Sequence, residues 1–180
     1  KSKLAYGGIA EGNIIAAGST ELNGYQKNRY RTNRINATAK YDILQIPGLS
    51  LKAFISMQET SDKMKEFRRQ NLFYSYDIDT DQYTLNRGSD PTKSTESYIY
   101  NKQFIQQYSL NYENTFAQEH KISVMGVFES TDYRGDYLMG SRSNYTNTAI
   151  EQIIAGDNTT SIADGTASEM GRASWIGRLN

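Results

Sequence analysis

The longest regular pattern in this chain of 180 residues runs from Tyr98 to Phe116 and has a period of two. Aromatic and aliphatic side chains occupy most of the even positions, while amides, hydroxyls and a carboxylate occupy most of the odd positions. Because successive side chains of a strand point to opposite faces, the pattern predicts one long strand with an apolar face and a polar face. The apolar set is Tyr98, Tyr100, Phe104, Tyr108, Leu110, Tyr112 and Phe116, and the polar set is Asn101, Gln103, Gln107, Ser109, Asn111, Glu113 and Thr115.

The length of this run indicates what kind of sheet it belongs to. Strands of globular proteins are mostly about 5 to 6 residues long, whereas a tilted strand that crosses a bilayer needs about 9 to 11. The run exceeds both, and it has aromatic residues near each end of its apolar face: Tyr98 and Tyr100, then Tyr112 and Phe116. Aromatic girdles of this kind flank the apolar band of outer-membrane barrels. We therefore predict an all-β, antiparallel transmembrane β-barrel segment with these four residues in a lipid-facing girdle. A soluble β-sandwich with a one-sided core is the alternative.

Four further segments carry the same period less strictly. Strands are predicted near residues 30–44 and 49–60, joined by a tight turn at Pro47 and Gly48. Another is predicted near 120–132, and a last one at 172–180 adds Trp175 to the lipid-facing girdle.

The connections between these segments alternate in length. Those around Pro47 and Ala117 are short, whereas 61–97 and 134–171 are long and are predicted to be extracellular loops, since barrels have short periplasmic turns and long outer loops. Within the second loop, Thr148 and Glu151 form a capping box that predicts a short helix ending at Gly156. Residues 1–28 have no clear period and are predicted to be a folded loop.

The composition narrows the classes of function. The number of lysines and arginines equals the number of aspartates and glutamates, at 20 each. The chain therefore lacks the excess of positive charge that would indicate a nucleic-acid partner. The absence of cysteine excludes disulfides and thiolate metal sites. The sequence has no nucleophile elbow, phosphate-binding glycine loop or metal-ligand cluster. We expect no enzymatic activity, no cofactor and no metal.

About five strands cannot close a barrel. An open sheet edge in hydrocarbon leaves backbone groups without hydrogen bonds, and single-chain bacterial barrels have at least about eight strands. We therefore expect residues 1–180 to be part of a larger barrel whose neighbouring strands precede Lys1 and follow Asn180.

From about Asn23 onward the chain resembles the barrel of SusC/RagA-type TonB-dependent outer-membrane transporters. The resemblance lies in the order and spacing of several short motifs rather than in any one of them. These motifs are Asn23-Gly24-Tyr25-Gln26-Lys27, Tyr41-Asp42-Ile43, Ile46-Pro47-Gly48-Leu49-Ser50-Leu51-Lys52-Ala53, Tyr108-Ser109-Leu110-Asn111-Tyr112, Ala149-Ile150-Glu151-Gln152-Ile153-Ile154-Ala155-Gly156 and Ser174-Trp175-Ile176-Gly177-Arg178-Leu179-Asn180.

The resemblance implies a location in the bacterial outer membrane and a barrel of about 22 strands with a plugged lumen. It also implies energisation by TonB, a SusD-like surface lipoprotein as partner, and import of oligosaccharides or oligopeptides. The plug domain and the TonB box have no counterpart in these residues. A structural or adhesive outer-membrane barrel and a soluble glycan-binding module remain the alternative functions.

The candidate cargo-binding residues lie in the first long loop. Tyrosine rings can stack on sugar rings while carboxylates accept hydrogen bonds from hydroxyls, so oligosaccharides are favoured over oligopeptides; ordinary loop packing is the alternative. A calcium loop is not supported, because Gln82 and Gly88 stand where an EF-hand requires glycine and glutamate. The candidates are Tyr74, Tyr76, Asp77, Asp79 and Tyr83.

The same loop begins with a basic cluster, which consists of Lys63, Lys65, Arg68 and Arg69. The cluster is predicted either to contact anionic lipopolysaccharide or the lipoprotein, or to be a solvated extension of the strand.

Overall fold

The computed structural model describes residues 19–88 and 90–180 and confirms the predicted all-β fold. Five strands form one antiparallel sheet in the order β1-β2-β5-β6-β7, and β3 pairs with β4 in a separate two-stranded sheet. The elements are α1 Thr20–Asn23, β1 Gly24–Asp42, β2 Leu49–Arg68, β3 Leu72–Asp77, β4 Gln82–Gly88, β5 Lys93–Phe116, β6 His120–Ser143 and β7 Ile162–Leu179, with short 3-10 turns at Ile153–Ala155 and Asn158–Thr160. None of the described helices is long and apolar enough to span a membrane.

The strands are longer than the alternation predicts. Strand β2 continues to Arg68 and β6 to Ser143, while β5 begins at Lys93 and β7 at Ile162, so much of the predicted loops 61–97 and 134–171 is strand. These extensions carry polar residues on both faces and therefore show no alternation. Backbone pairing and cross-strand ion pairs hold them instead, such as Lys65 Nζ to Glu96 Oε1 at 3.0 Å.

Two local predictions are wrong. The capping box at Thr148 does not start a helix, because Glu151 hydrogen-bonds elsewhere and only a 3-10 turn forms, from Ile153 to Ala155. Part of the predicted folded loop, from Gly24 onward, is the start of β1, which ends at Asp42 rather than at residue 44. The rest of that prediction, residues 1–18, lies outside the described residues.

The described residues fall into two compact units. The first, which we call the loop unit, contains residues 19–29, 63–88, 90–98 and 138–165; the second, the ladder unit, contains 30–62, 99–137 and 166–180. Each unit buries few apolar side chains: Phe67 in the loop unit is fully buried, and Val127 in the ladder unit is 6% exposed.

In the ladder unit the predicted alternation is visible in the contacts between neighbouring strands. Three aromatic rings form a row across β5, β6 and β7, with centroids 6.5 Å apart from Tyr108 to Phe128 and 4.8 Å apart from Phe128 to Trp175. We call this row the aromatic ladder. On the adjacent odd positions of β5 and β6, Gln107 donates a hydrogen bond to Glu129 at 3.4 Å. The even positions of β5 therefore form one face and the odd positions the other.

The two short turns of the ladder unit have different backbone conformations. Gly48 has a φ of 88°, and a Cβ there would lie 1.9 Å from the carbonyl oxygen of Glu113, so only glycine fits. Between β5 and β6, Ala117 and Gln118 have φ values of 51° and 63°, a conformation that disfavours both residue types.

Candidate functional site

The predicted cargo-binding residues lie on the β3–β4 hairpin of the loop unit. Tyr74 is opposite Leu85 in the strand register, and Asp77 is opposite Gln82. Tyr83 is 41% exposed, Asp77 and Asp79 are exposed, and Tyr74 is half-buried. Tyr76 belongs to β3, but its side chain lies outside the described residues. The hairpin therefore gathers these positions on one short, separate sheet.

The acidic residues of the hairpin shape its turn. Asp77 Oδ1 accepts a hydrogen bond of 2.9 Å from the backbone N–H of Asp79, and this bond, with a further one from Thr80, lowers the pKa of the Asp77 carboxyl. Among the described residues no group of three His, Cys, Asp or Glu side chains could hold a metal ion. Asp77 is thus engaged by its own turn, and Asp79 is the more available carboxylate for a ligand.

A second cluster, which the sequence did not predict, joins distant segments of the loop unit. Tyr25 Oη donates a hydrogen bond of 2.7 Å to Glu151 Oε2, and Arg69 Nη2 contacts Glu151 Oε1 at 2.8 Å. Arg69 Nη1 also donates to the carbonyl of Thr148 at 3.2 Å. The hydrogen bond to Glu151, burial and the negative charge together raise the pKa of Tyr25 to about 12. No periodic pattern marks this cluster, because its members are far apart in sequence.

Aromatic packing supports the same cluster from one side. The Phe67 ring packs edge-on against the Tyr145 ring with centroids 5.3 Å apart, and it is tilted against the Tyr25 ring with centroids 6.4 Å apart. The guanidinium of Arg69 lies 5.1 Å from the Phe67 ring centroid. The fully buried Phe67 therefore organises the start of β1, the end of β2 and the segment after β6. We call Tyr25, Phe67, Arg69, Tyr145 and Glu151 the anchor cluster.

The segment that follows β6 is tied back to that strand. Arg142 donates to Ser161 Oγ and to Asn158 Oδ1, both at 2.8 Å, and to the carbonyl of Ile154 at 3.3 Å. Gly156 passes so close to the strand that a Cβ there would lie 2.6 Å from the Cβ of Arg142. The segment after β6 is therefore compact and is held against the strand by hydrogen bonds from Arg142.

The predicted basic cluster is paired within the loop unit. Lys63 lies over the Tyr98 ring at 5.3 Å, and Lys65 pairs with Glu96. Arg68 contacts Glu66 at 2.8 Å, and Arg69 belongs to the anchor cluster. A groove of about 960 Å³ lies beside Lys63 and Lys65. It is lined by Lys27, Asn28, Arg29, Met64, Glu96, Ser97, Tyr98, Leu138, Met139, Gly140, Ile153 and Ala163 as well.

The residues predicted to face lipid differ in exposure. Trp175 is 82% exposed and Phe116 is 44% exposed, whereas Tyr98, Tyr100 and Tyr112 are half-buried. Neither Tyr108 nor Leu110, at 45% and 47% exposed, is buried in a sheet-on-sheet core of the kind the soluble alternative requires. The girdle stays a prediction, with Trp175 and Phe116 as its most accessible members.

Side chains of neighbouring strands form hydrogen bonds and ion pairs on the polar face of the ladder unit. Tyr133 Oη donates to Asn101 Oδ1 at 2.6 Å, and Arg172 lies 3.6 Å from Glu129. Lys121 pairs with Glu113 near the turn, and Arg34 donates to Gln58. The polar side chains of this face can form hydrogen bonds beside water or other polar groups. Placing them against hydrocarbon would be costly in free energy.

Comparisons with known proteins give a likeness of fold. No protein-family model matches the chain, and no curated protein matches it either. Two solved structures, of the RagAB peptide transporter and of the RagAB peptide importer in its closed-closed state, match with a TM-score of 0.67 and 18% identity. Each match covers 86% of this chain and 16% of the other chain, so this chain spans about a sixth of the length of the proteins it resembles.

Proposed function

We propose that residues 1–180 are part of the barrel wall of a TonB-dependent transporter that imports nutrient oligomers through the bacterial outer membrane. The observation that carries the proposal is the two-faced sheet of the ladder unit, whose exposed apolar face includes Leu110 and Trp175 while its polar face is cross-linked by side chains. A barrel wall between lipid and a polar lumen requires this division. The likeness in fold to the RagAB transporter supports it.

The partners follow from the same proposal. A SusD-like surface lipoprotein would meet the extracellular side, and TonB would act through a plug domain and TonB box that lie outside these residues. The apolar face, including the girdle Tyr98, Tyr100, Tyr112, Phe116 and Trp175, would contact membrane lipid. The likeness in fold to the RagAB peptide importer supports these assignments.

The cargo class is a separate step of the proposal. Carboxylates of the β3–β4 hairpin would favour oligosaccharides by accepting hydrogen bonds from hydroxyls, but Asp77 already accepts hydrogen bonds from its own turn. Asp79 and Tyr83 remain exposed and would suit a cationic peptide as well as a sugar. Because the matched structures are of a peptide transporter, we propose oligopeptides as the first cargo to test and oligosaccharides as the second.

Deletion of the hairpin tests whether it captures cargo. Because β3 and β4 form their own sheet, removing residues 74–83 from the full-length protein should leave the five-stranded sheet and surface abundance unchanged while lowering uptake. The matched control is Ile78→Ser, which changes an exposed side chain of the same turn without removing a carboxylate or a tyrosine ring. Uptake of labelled oligopeptides and oligosaccharides by cells that express each variant gives the answer. Unchanged uptake of both at normal abundance would remove the hairpin from the site.

A further inference from the structure

One edge of the β3–β4 hairpin lacks the usual protection against strand pairing. Among the described strands β3 pairs only with β4, so about half of the backbone N–H and C=O groups of β3 point toward its other edge. Proteins usually protect such edges with bulges, prolines or lysines, because an open edge pairs readily with another extended chain. Strand β3, Leu72–Asp77, contains no proline, lysine or arginine, and its one charged residue is Asp77 at the last position.

The outer edge of β4 differs from that of β3. The register passes from Phe73 opposite Arg87 to Tyr74 opposite Leu85, so Asn86 of β4 has no counterpart in β3. This extra residue is a β-bulge, which bends its strand and disrupts the ladder there. β4 also includes a basic residue, Arg87, whereas β3 includes none. Of the two edges, the β3 edge is therefore the one that can accept a further strand over its full length.

The side chains on one face of the hairpin are aromatic and aliphatic where the structure describes them. Tyr74 lies opposite Leu85, and Tyr83 shares their face because it is two residues from Leu85. Tyr83 is 41% exposed and Leu85 is 55% exposed. A strand added next to β3 would place every second side chain beside Tyr74 and extend this face. The edge thus offers hydrogen bonds to a backbone and packing to alternate side chains.

The charge of the turn indicates the direction of an added strand. Asp77 already accepts a hydrogen bond from the backbone N–H of Asp79, so the exposed Asp79 is the carboxylate available to a ligand. In an antiparallel arrangement, the first residue of an added strand lies beside the last residue of β3. The amino terminus of a peptide bound in this direction would lie next to the acidic turn, where its positive charge is favourable.

We propose that the β3 edge binds extended oligopeptide cargo as an additional antiparallel strand, with the free amino terminus of the peptide beside Asp79. The peptide backbone supplies N–H and C=O groups at the repeat of a strand, which an oligosaccharide lacks. Recognition through the backbone tolerates many side chains, so the site accepts peptides of varied sequence. The proposal rests on the proposed function, and it specifies how the hairpin recognises its cargo.

The test measures binding of the heptapeptide Thr-Val-Thr-Tyr-Thr-Val-Ser, labelled with a fluorophore at its carboxyl end, to the full-length protein in detergent by fluorescence anisotropy. One analogue is N-methylated at its second, fourth and sixth residues, and the other at its third, fifth and seventh. Because a strand pairs with one neighbour through alternate residues, one analogue loses about three hydrogen bonds and the other loses none. We expect about a hundredfold weaker binding of the first kind and less than about a threefold change for the second.

The amino terminus of the peptide tests the direction of binding. Acetylation should weaken binding to the wild type about threefold, because it removes a positive charge beside an exposed carboxylate. Asp79→Asn should bind the free and the acetylated peptide equally. The matched control Ile78→Ser changes an exposed side chain of the same turn and should keep the difference. A difference that persists in Asp79→Asn would overturn the assigned direction.

Deletion of residues 74–83 separates failure of strand addition from failure of the proposed peptide site. If the deletion abolishes binding of the unmodified peptide but the two N-methylated analogues bind equally, strand addition is overturned and the hairpin still binds peptide. If the unmodified peptide does not bind, or binds equally after the deletion, both are overturned. Dimerisation through the same hairpin in place of peptide binding would assign the edge to a second copy of the chain and would also overturn the proposal.

Discussion

The ladder unit and the loop unit are both built on paired strands, yet they are stabilised in different ways. In the ladder unit, side chains of one face share a character and meet their neighbours across the sheet, as Tyr108, Phe128 and Trp175 do. In the loop unit, the anchor cluster joins Tyr25 to Glu151 across more than half of the chain. A two-residue period therefore reports that a strand separates two environments. It does not report where the strand ends.

The largest expected effect concerns the apolar face of the ladder unit. Replacing Leu110 with arginine would place a charge on the proposed lipid-facing side, which costs about 2 to 4 kcal/mol near the middle of a bilayer. The neighbouring Asn111→Arg lies on the polar face and should change stability by less than about 1 kcal/mol. Urea unfolding of both full-length variants in lipid vesicles measures the difference. Equal losses at the two positions would mean that the faces do not meet different solvents.

In the loop unit we expect the largest effect at a close backbone approach. Gly156→Ala would place a Cβ 2.6 Å from the Cβ of Arg142 and 3.0 Å from the Tyr145 ring, so the segment after β6 must shift, at a cost of about 1 to 3 kcal/mol. Hydrogen exchange of residues 144–161 should accelerate accordingly. Gly126→Ala is the matched control, because a Cβ there meets nothing within 4 Å. If both alanines left exchange unchanged, the cross-bracing by Arg142 would not hold this segment.

These two units also show what the sequence could predict. The alternation in Tyr98–Phe116 predicted the central strand and its two faces, because lipid or core on one side and polar groups on the other restrict every second residue. It missed the extension of β2 to Arg68 and of β6 to Ser143, where both faces are polar. The anchor cluster was missed for a different reason. Glu151 reads locally as part of a capping box, and only the fold brings Arg69 and Tyr25 to it.

The hydroxyl of Tyr25 provides a pH-dependent test of the anchor cluster. Tyr25→Phe removes the hydrogen bond to Glu151 and should destabilise the loop unit by about 1.5 kcal/mol at about pH 8. Its pKa is raised from 10.0 to about 12, so the folded state holds the proton more tightly than the unfolded state. The stabilisation is therefore complete below pH 10 and is lost as the pH rises through about 12.

The measurement is the difference in hydrogen exchange of residues 144–161 between the wild type and Tyr25→Phe, at several pH values and after correction for the intrinsic exchange rate. The difference should be constant up to about pH 10 and should shrink above it. Tyr30→Phe serves as the control, since Tyr30 is 68% exposed. A difference that grew with pH would contradict the assigned direction of the hydrogen bond.

The smallest expected effect is a gain in stability in the ladder unit. Ala117 and Gln118 follow Phe116 at the β5–β6 turn, and Glu119 N donates to the Phe116 carbonyl at 3.2 Å. Both central residues have positive φ, which is typical of a type I′ turn and is most favourable for the dipeptide Asn-Gly.

Ala117→Asn with Gln118→Gly should therefore raise the free energy of unfolding by about 1 kcal/mol, because left-handed backbone costs ordinary residues about 1 to 2 kcal/mol each. Introducing Ala117→Val instead should lower it, since a β-branched residue tolerates positive φ poorly. Urea midpoints of the two full-length variants should move in opposite directions. Movement in the same direction would show that the turn is not what limits this hairpin, and that cross-strand contacts such as the aromatic ladder determine its stability.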